Sequence, residues 1–144
     1  MIEIPEDISR DLKNEIKDEF EKKLNEVRES GAVCTADRLE KVCGVLKGEK
    51  ATWLQDSAKI AVCLHEMVEE RGSFEGGFRP VPETAKDYAK AALNYLVDPF
   101  DIIPDYEPTM GFIDDAEVLN HALKWLERNH RGLYSQVLRS AGMS

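Results

Sequence analysis

Apolar residues recur every three or four positions through most of this 144-residue chain, and no segment alternates apolar with polar over a strand's length. A spacing near 3.6 gathers such residues on one helix face, whereas a half-buried strand needs a period of two. The chain is therefore expected to be all-α, a compact single domain (1–144) of about five to six bundled helices. The longest stripe, Ile8, Leu12, Ile16, Phe20, Leu24 and Val27, predicts a long amphipathic N-terminal helix. Pro5 suits its first position and Ser30-Gly31 supplies a stop. The apolar seam is narrow, which gives it two destinations, the body of the domain or a homodimer through a second copy of the same helix.

Thr35 is placed to cap a second helix carrying Leu39, Val42, Cys43 and Leu46 before Gly48. A third is expected from about Lys50 to Arg71, with Trp53, Leu54, Ile60, Ala61, Leu64, Met67 and Val68 inward. Residues 72 to 82 read as a linker punctuated by glycine and proline, pinned by Phe74 and Phe78. It divides N-terminal helices (1–81) from a C-terminal helical segment (82–144) without making two domains. A fourth helix starts near Pro82 with a smooth face of Ala85, Ala89 and Ala92. A fifth, from about Asp114 to Arg128, buries Val118, Leu119, Ala122, Trp125 and Leu126, and a short last helix spans about Leu133 to Arg139.

With 42% hydrophobic residues the chain can build a core without metal or disulfide. A net charge of −9 disfavours nucleic acid and anionic membrane surfaces as partners. No stretch approaches the roughly 18 apolar residues of a membrane span. Met1 to Asp7 holds acids and a proline where a signal peptide needs a basic start and an apolar run. Cys34, Cys43 and Cys63 are odd in number without C-x-x-C spacing, as expected of reduced thiols, with Cys43 and Cys63 serving as small core hydrophobes. These features point to a cytoplasmic location.

The charge is concentrated. From Ala91 to Leu123 there is no Lys or Arg, yet Asp98, Asp101, Asp105, Glu107, Asp114, Asp115 and Glu117 all fall there; the other 111 residues carry 21 acids against 19 bases. Such crowding is costly unless the acids are solvated, bonded to backbone donors, or neutralised by a cation or by a base from another helix.

The same stretch reads Tyr-x-x-x-Pro-x-Asp-x-Ile-Pro-Asp followed by Gly-x-x-Asp-Asp-Ala, as Tyr95, Pro99, Asp101, Ile103, Pro104, Asp105, Gly111, Asp114, Asp115 and Ala116. This pattern resembles the signature of the YkvA-like family, domain of unknown function 1232, over roughly residues 85 to 125. The resemblance implies a small helical domain and brings no established activity, substrate or cofactor.

Three readings of the segment stand side by side. In the structural one, Asp98 caps a short turn over Pro99 to Ile103, with Asp101 in its first turn, and Asp114 with Glu117 caps the fifth helix. In the second, Asp101 and Asp105 converge with Asp114 and Asp115 into an oxygen-rich pocket suited to Mg²⁺, Ca²⁺ or Mn²⁺, as in a metal-dependent hydrolase. In the third, the acidic corner binds a protein partner, and the chain is a non-catalytic interaction module. Counting back from Leu119, Ala122 and Leu126 places Asp115 on the inward face. His121 shares a face with Asp114 and Glu117 but is expected to be a plain surface histidine, while His65 and His130 have no neighbour at ligand spacing. No phosphate loop, dinucleotide fingerprint, zinc knuckle or nucleophile motif is found.

Overall fold

The computed structural model describes residues 1–4, 9–71, 81–98 and 112–143. The fold is all-α. Among the described residues it holds α1 (Arg10–Ser30), α2 (Ala36–Gly48), α3 (Thr52–Val68), α4 (Glu83–Val97), α5 (Ile113–Asn129) and α6 (Arg131–Ser140). None of these helices is long and apolar enough to cross a membrane.

α1 begins at Arg10, later than Pro5, because Ser9 takes the capping role: its hydroxyl accepts from the Leu12 amide at 3.2 Å. Pro5 and Ile8 lie outside the described residues. The helix ends at Gly31, whose φ of 70° lets its amide close back on the Val27 carbonyl at 2.6 Å. The seam of Ile16, Phe20, Leu24 and Val27 is buried within the chain, where α1 packs on α4 and α5. Thr35 caps α2 as its sequence implies.

α3 stops at Val68, short of the expected Arg71. The reversal falls on Glu70, which adopts φ 52° where glycine would be the easier residue. The Arg71 amide bonds back to the Glu66 carbonyl at 2.8 Å. The Glu70 carboxylate holds the bend from outside, accepting from Lys86 Nζ at 2.9 Å and from the Val81 amide at 3.2 Å. That lysine bond, then the amide, holds its pKa below the usual value for glutamate. Residues 72–80, including Phe74 and Phe78, lie outside the described residues.

α4 is the central post, packed against α1, α2, α3 and α5. Ala85, Ala89, Ala91 and Ala92 are buried on it, and their short side chains let neighbouring helices approach closely. Trp125, expected inward, is only half-buried, as is Tyr88 of α4. They stack on each other with ring centroids 4.1 Å apart. An aromatic pair at a helix–helix margin covers the core while leaving its polar atoms in water.

Candidate functional site

α5 opens on Ile113-Asp114-Asp115-Ala116, and the phase set by Val118, Leu119 and Ala122 turns this first turn inward. Asp114 is 0% exposed and Asp115 1%. The inward direction expected for Asp115 therefore holds. The N-cap position expected for Asp114 does not: Phe112 occupies it, with no side-chain capping bond of its own. Asp114 instead stands one residue inside the helix, where Tyr95 of α4 donates its hydroxyl to Oδ2 at 2.9 Å. Two consecutive carboxylates in the first turn of a helix are favoured by the positive end of the helix dipole. A hydroxyl bond to one of them adds directed stabilisation in a low-dielectric place.

At the other end of the acidic segment Asp98 closes α4. It is the C-cap of that helix, its own amide bonding back to the Tyr95 carbonyl at 3.2 Å; the turn it was expected to cap lies outside the described residues. Its carboxylate pairs with Lys23 of α1. A base from outside the Lys- and Arg-free stretch thus answers one of its acids. Arg38 of α2 adds a second cation nearby, donating from Nη2 to the Val97 carbonyl at 3.0 Å. Lys23, Arg38, Asn94 and Asp98 line a surface hollow of about 530 Å³. Cationic side chains at a helix C-terminus complement its partial negative charge.

Asp101, Asp105, Glu107 and the turn expected over Pro99 to Ile103 lie outside the described residues. Of the four candidate metal ligands, Asp114 and Asp115 are thus placed together at the head of α5. Among the described residues, no group of three or more His, Cys, Asp or Glu side chains is arranged to hold a metal ion.

His121 departs from the surface residue expected. It is half-buried, edge-on to Phe20 at a centroid distance of 5.0 Å. Burial, then the neighbouring Lys17, pushes its pKa below the usual 6.5. His65, expected to have no neighbour at ligand spacing, is buried with its Nε2 3.1 Å from Glu69 Oε1 one turn on. Ser57 returns its hydroxyl to the Trp53 carbonyl at 2.8 Å. All three cysteines are free and buried. Desolvation pushes the Cys43 and Cys63 thiols up to about 11 and raises Cys34 as well, the reverse of nucleophile activation.

Two asparagines escaped the sequence reading. Asn94 on α4 clamps the α1–α2 connection: Oδ1 accepts from the Cys34 amide at 2.7 Å, and Nδ2 donates to the Ala32 carbonyl at 3.0 Å. Asn120 on α5 does the same to Ile2, accepting from its amide at 3.0 Å and donating to its carbonyl at 2.9 Å. An amide at a helical position carries no signature of a partner 60 or 118 residues away, so no sequence pattern flagged either.

No curated protein and no solved structure matches the chain. Residues 89–120, from the middle of α4 to Asn120 of α5, match the family model described as a protein of unknown function (DUF1232), in agreement with the resemblance carried by Tyr95, Asp114, Asp115 and their neighbours.

Proposed function

We propose that the chain is a non-catalytic interaction module that offers its acidic segment to a cationic protein surface. The observation that carries this reading is that both ends of the segment are tied down. Asp98 is paired with Lys23 at the end of α4, and Asp114 is bonded to Tyr95 at the start of α5. Anchored ends lower the ordering cost of recognition by the residues between them. Those residues carry Asp101, Asp105 and Glu107 and no base. Asp114 and Asp115 act in this reading as an interior footing and not as acid–base groups, which must reach a substrate.

The test is titration of the full chain and of Asp101→Asn/Asp105→Asn/Glu107→Gln with an oligolysine peptide at low and high salt. The full chain is expected to bind with an affinity that falls as salt rises. The triple variant should bind about tenfold more weakly with an unchanged melting temperature. Equal binding by both proteins would remove the reading.

A second reading makes the corner a divalent-cation site of a hydrolase-class enzyme, with Asp101, Asp105, Asp114 and Asp115 as ligands of Mg²⁺, Ca²⁺ or Mn²⁺. What favours it is the burial of two consecutive carboxylates, a charge density that a hard cation offsets well. Melting curves with each ion and with EDTA separate the two. A rise of several degrees that disappears in Asp101→Asn/Asp115→Asn supports the cation, and no shift with any ion rejects it.

A further inference from the structure

Ile2, in the segment 1–4, is held by a residue 118 positions away in the sequence, Asn120. Ile2 is buried and Ile4 partly so, while Met1 and Glu3 face outward. Exposure alternates with a period of two, the mark of an extended segment with one face on a surface. Asn120, itself buried, grips both polar groups of the Ile2 main chain, as a neighbouring strand would. The gripping amide senses main chain only. Selectivity therefore falls to the recesses that receive Ile2 and Ile4.

An open hollow flanks the strap on the side of its outward residues, Met1 and Glu3. It measures about 390 Å³ and is lined by these two with Thr52, Trp53, Asp56 and Met143, where α3 begins and the chain turns after α6. A buried side-chain amide matched to both main-chain groups, a recess for an aliphatic side chain, and unfilled space alongside together describe a receptor for extended peptide.

We propose that the surface over Asn120 binds an extended segment with branched aliphatic residues at alternate positions, and that residues 1–4 occupy it in cis as a displaceable strap. The partner is a protein with such a segment in an accessible terminus or loop. This surface is separate from the acidic corner, and either proposal can fail without the other. Because the strap is covalently attached, an incoming segment must outcompete an intramolecular occupant.

The experiment uses the full chain carrying Ile2→Ser/Ile4→Ser, which frees the surface while leaving Asn120 in place. An acetylated, amidated peptide with the sequence of residues 1–4 is titrated in, and the Asn120 side-chain amide resonances are followed by NMR. Saturable shifts are expected, with an apparent Kd at least about tenfold lower than for the unaltered chain. They should be lost with a peptide whose second residue is Asp, and lost when Asn120→Ala is added to the released chain. A folded released chain that gives no shifts, or that accepts the Asp peptide equally well, overturns the proposal.

If the released chain does not fold, the unaltered protein still answers. Excess peptide should strip the Ile2 amide of its protection from hydrogen exchange, and unchanged protection at saturating peptide overturns the proposal. A dimer that forms with rising concentration and vanishes in Ile2→Ser would identify a second copy as one trans occupant and would support the same surface.

Discussion

Tyr95 reaches from α4 to the head of α5, where its hydroxyl donates to a carboxylate oxygen of Asp114 that is closed off from solvent. Tyr95→Phe removes that donor and keeps the ring. Loss of one bond to a buried carboxyl group should cost about 1–3 kcal/mol in urea melts. A change below about 0.5 kcal/mol, the range of an indifferent surface substitution, would show that the contact carries no weight.

Asp115 and Glu117 differ by two positions and by their surroundings, buried against half-buried. Asp115→Ala should destabilise by about 2 kcal/mol or more, since it strips a buried polar position and opens a void. Glu117→Ala should stay near about 0.5 kcal/mol. Equal losses in chemical denaturation would mean that the inward turn of α5 does not matter to stability.

Ala89 sits at the centre of the bundle with 1% exposure. Ala89→Leu adds three carbons where helices converge on α4, and overpacking should cost about 1–3 kcal/mol with a lower melting temperature. A neutral outcome would contradict close approach at this position.

His121 is held neutral chiefly by burial, with Lys17 and Lys124 acting in the same direction against Glu117 and Glu21. Phe20 and Tyr88 enclose the same small polar recess, together with Asn25 and Arg28. Its folded pKa lies below the unfolded value of 6.5, so the unfolded chain binds the proton first. Stability from this group is therefore complete above pH 6.5 and is lost as pH falls below it, down to the folded pKa. His121→Gln should flatten the stability profile across that interval, as read by melts at stepped pH. An unaltered slope would assign the pH dependence elsewhere.

Cys43 and Cys63, with thiols raised to about 11, and the buried Cys34 should react slowly with an aromatic disulfide reagent at pH 8 in the folded chain. Three thiols should appear at once in denaturant. Prompt reaction of one thiol in the native protein would reveal local opening around it.

Much of the fold was legible because helix periodicity and caps are local signals. The α1 seam, the Thr35 cap, the Gly31 stop and the alanine face of α4 all follow from neighbours within a few residues. The misses came where a distant group overrode the local rule. Glu70 ends α3 in a conformation better suited to glycine because Lys86 and the Val81 amide hold its carboxylate. Asp114 passed for a cap by its distance from Glu117, yet the helix starts one residue earlier and the side chain turns to Tyr95. His121 gave no sign of its burial, which depends on Phe20 a hundred residues away. At the acidic corner the charge pattern was readable, but the base that answers Asp98 comes from α1, 75 residues earlier.

Asn94 and Asn120 hold peptide groups and leave side-chain identity unread. A saturation mutagenesis map should therefore be uneven in a particular way. Ala32 and Glu3 should accept most replacements, proline apart, while the two asparagines that secure those stretches should tolerate few. Positions with the least chemical character of their own would then be fixed in place by some of the least replaceable residues in the chain.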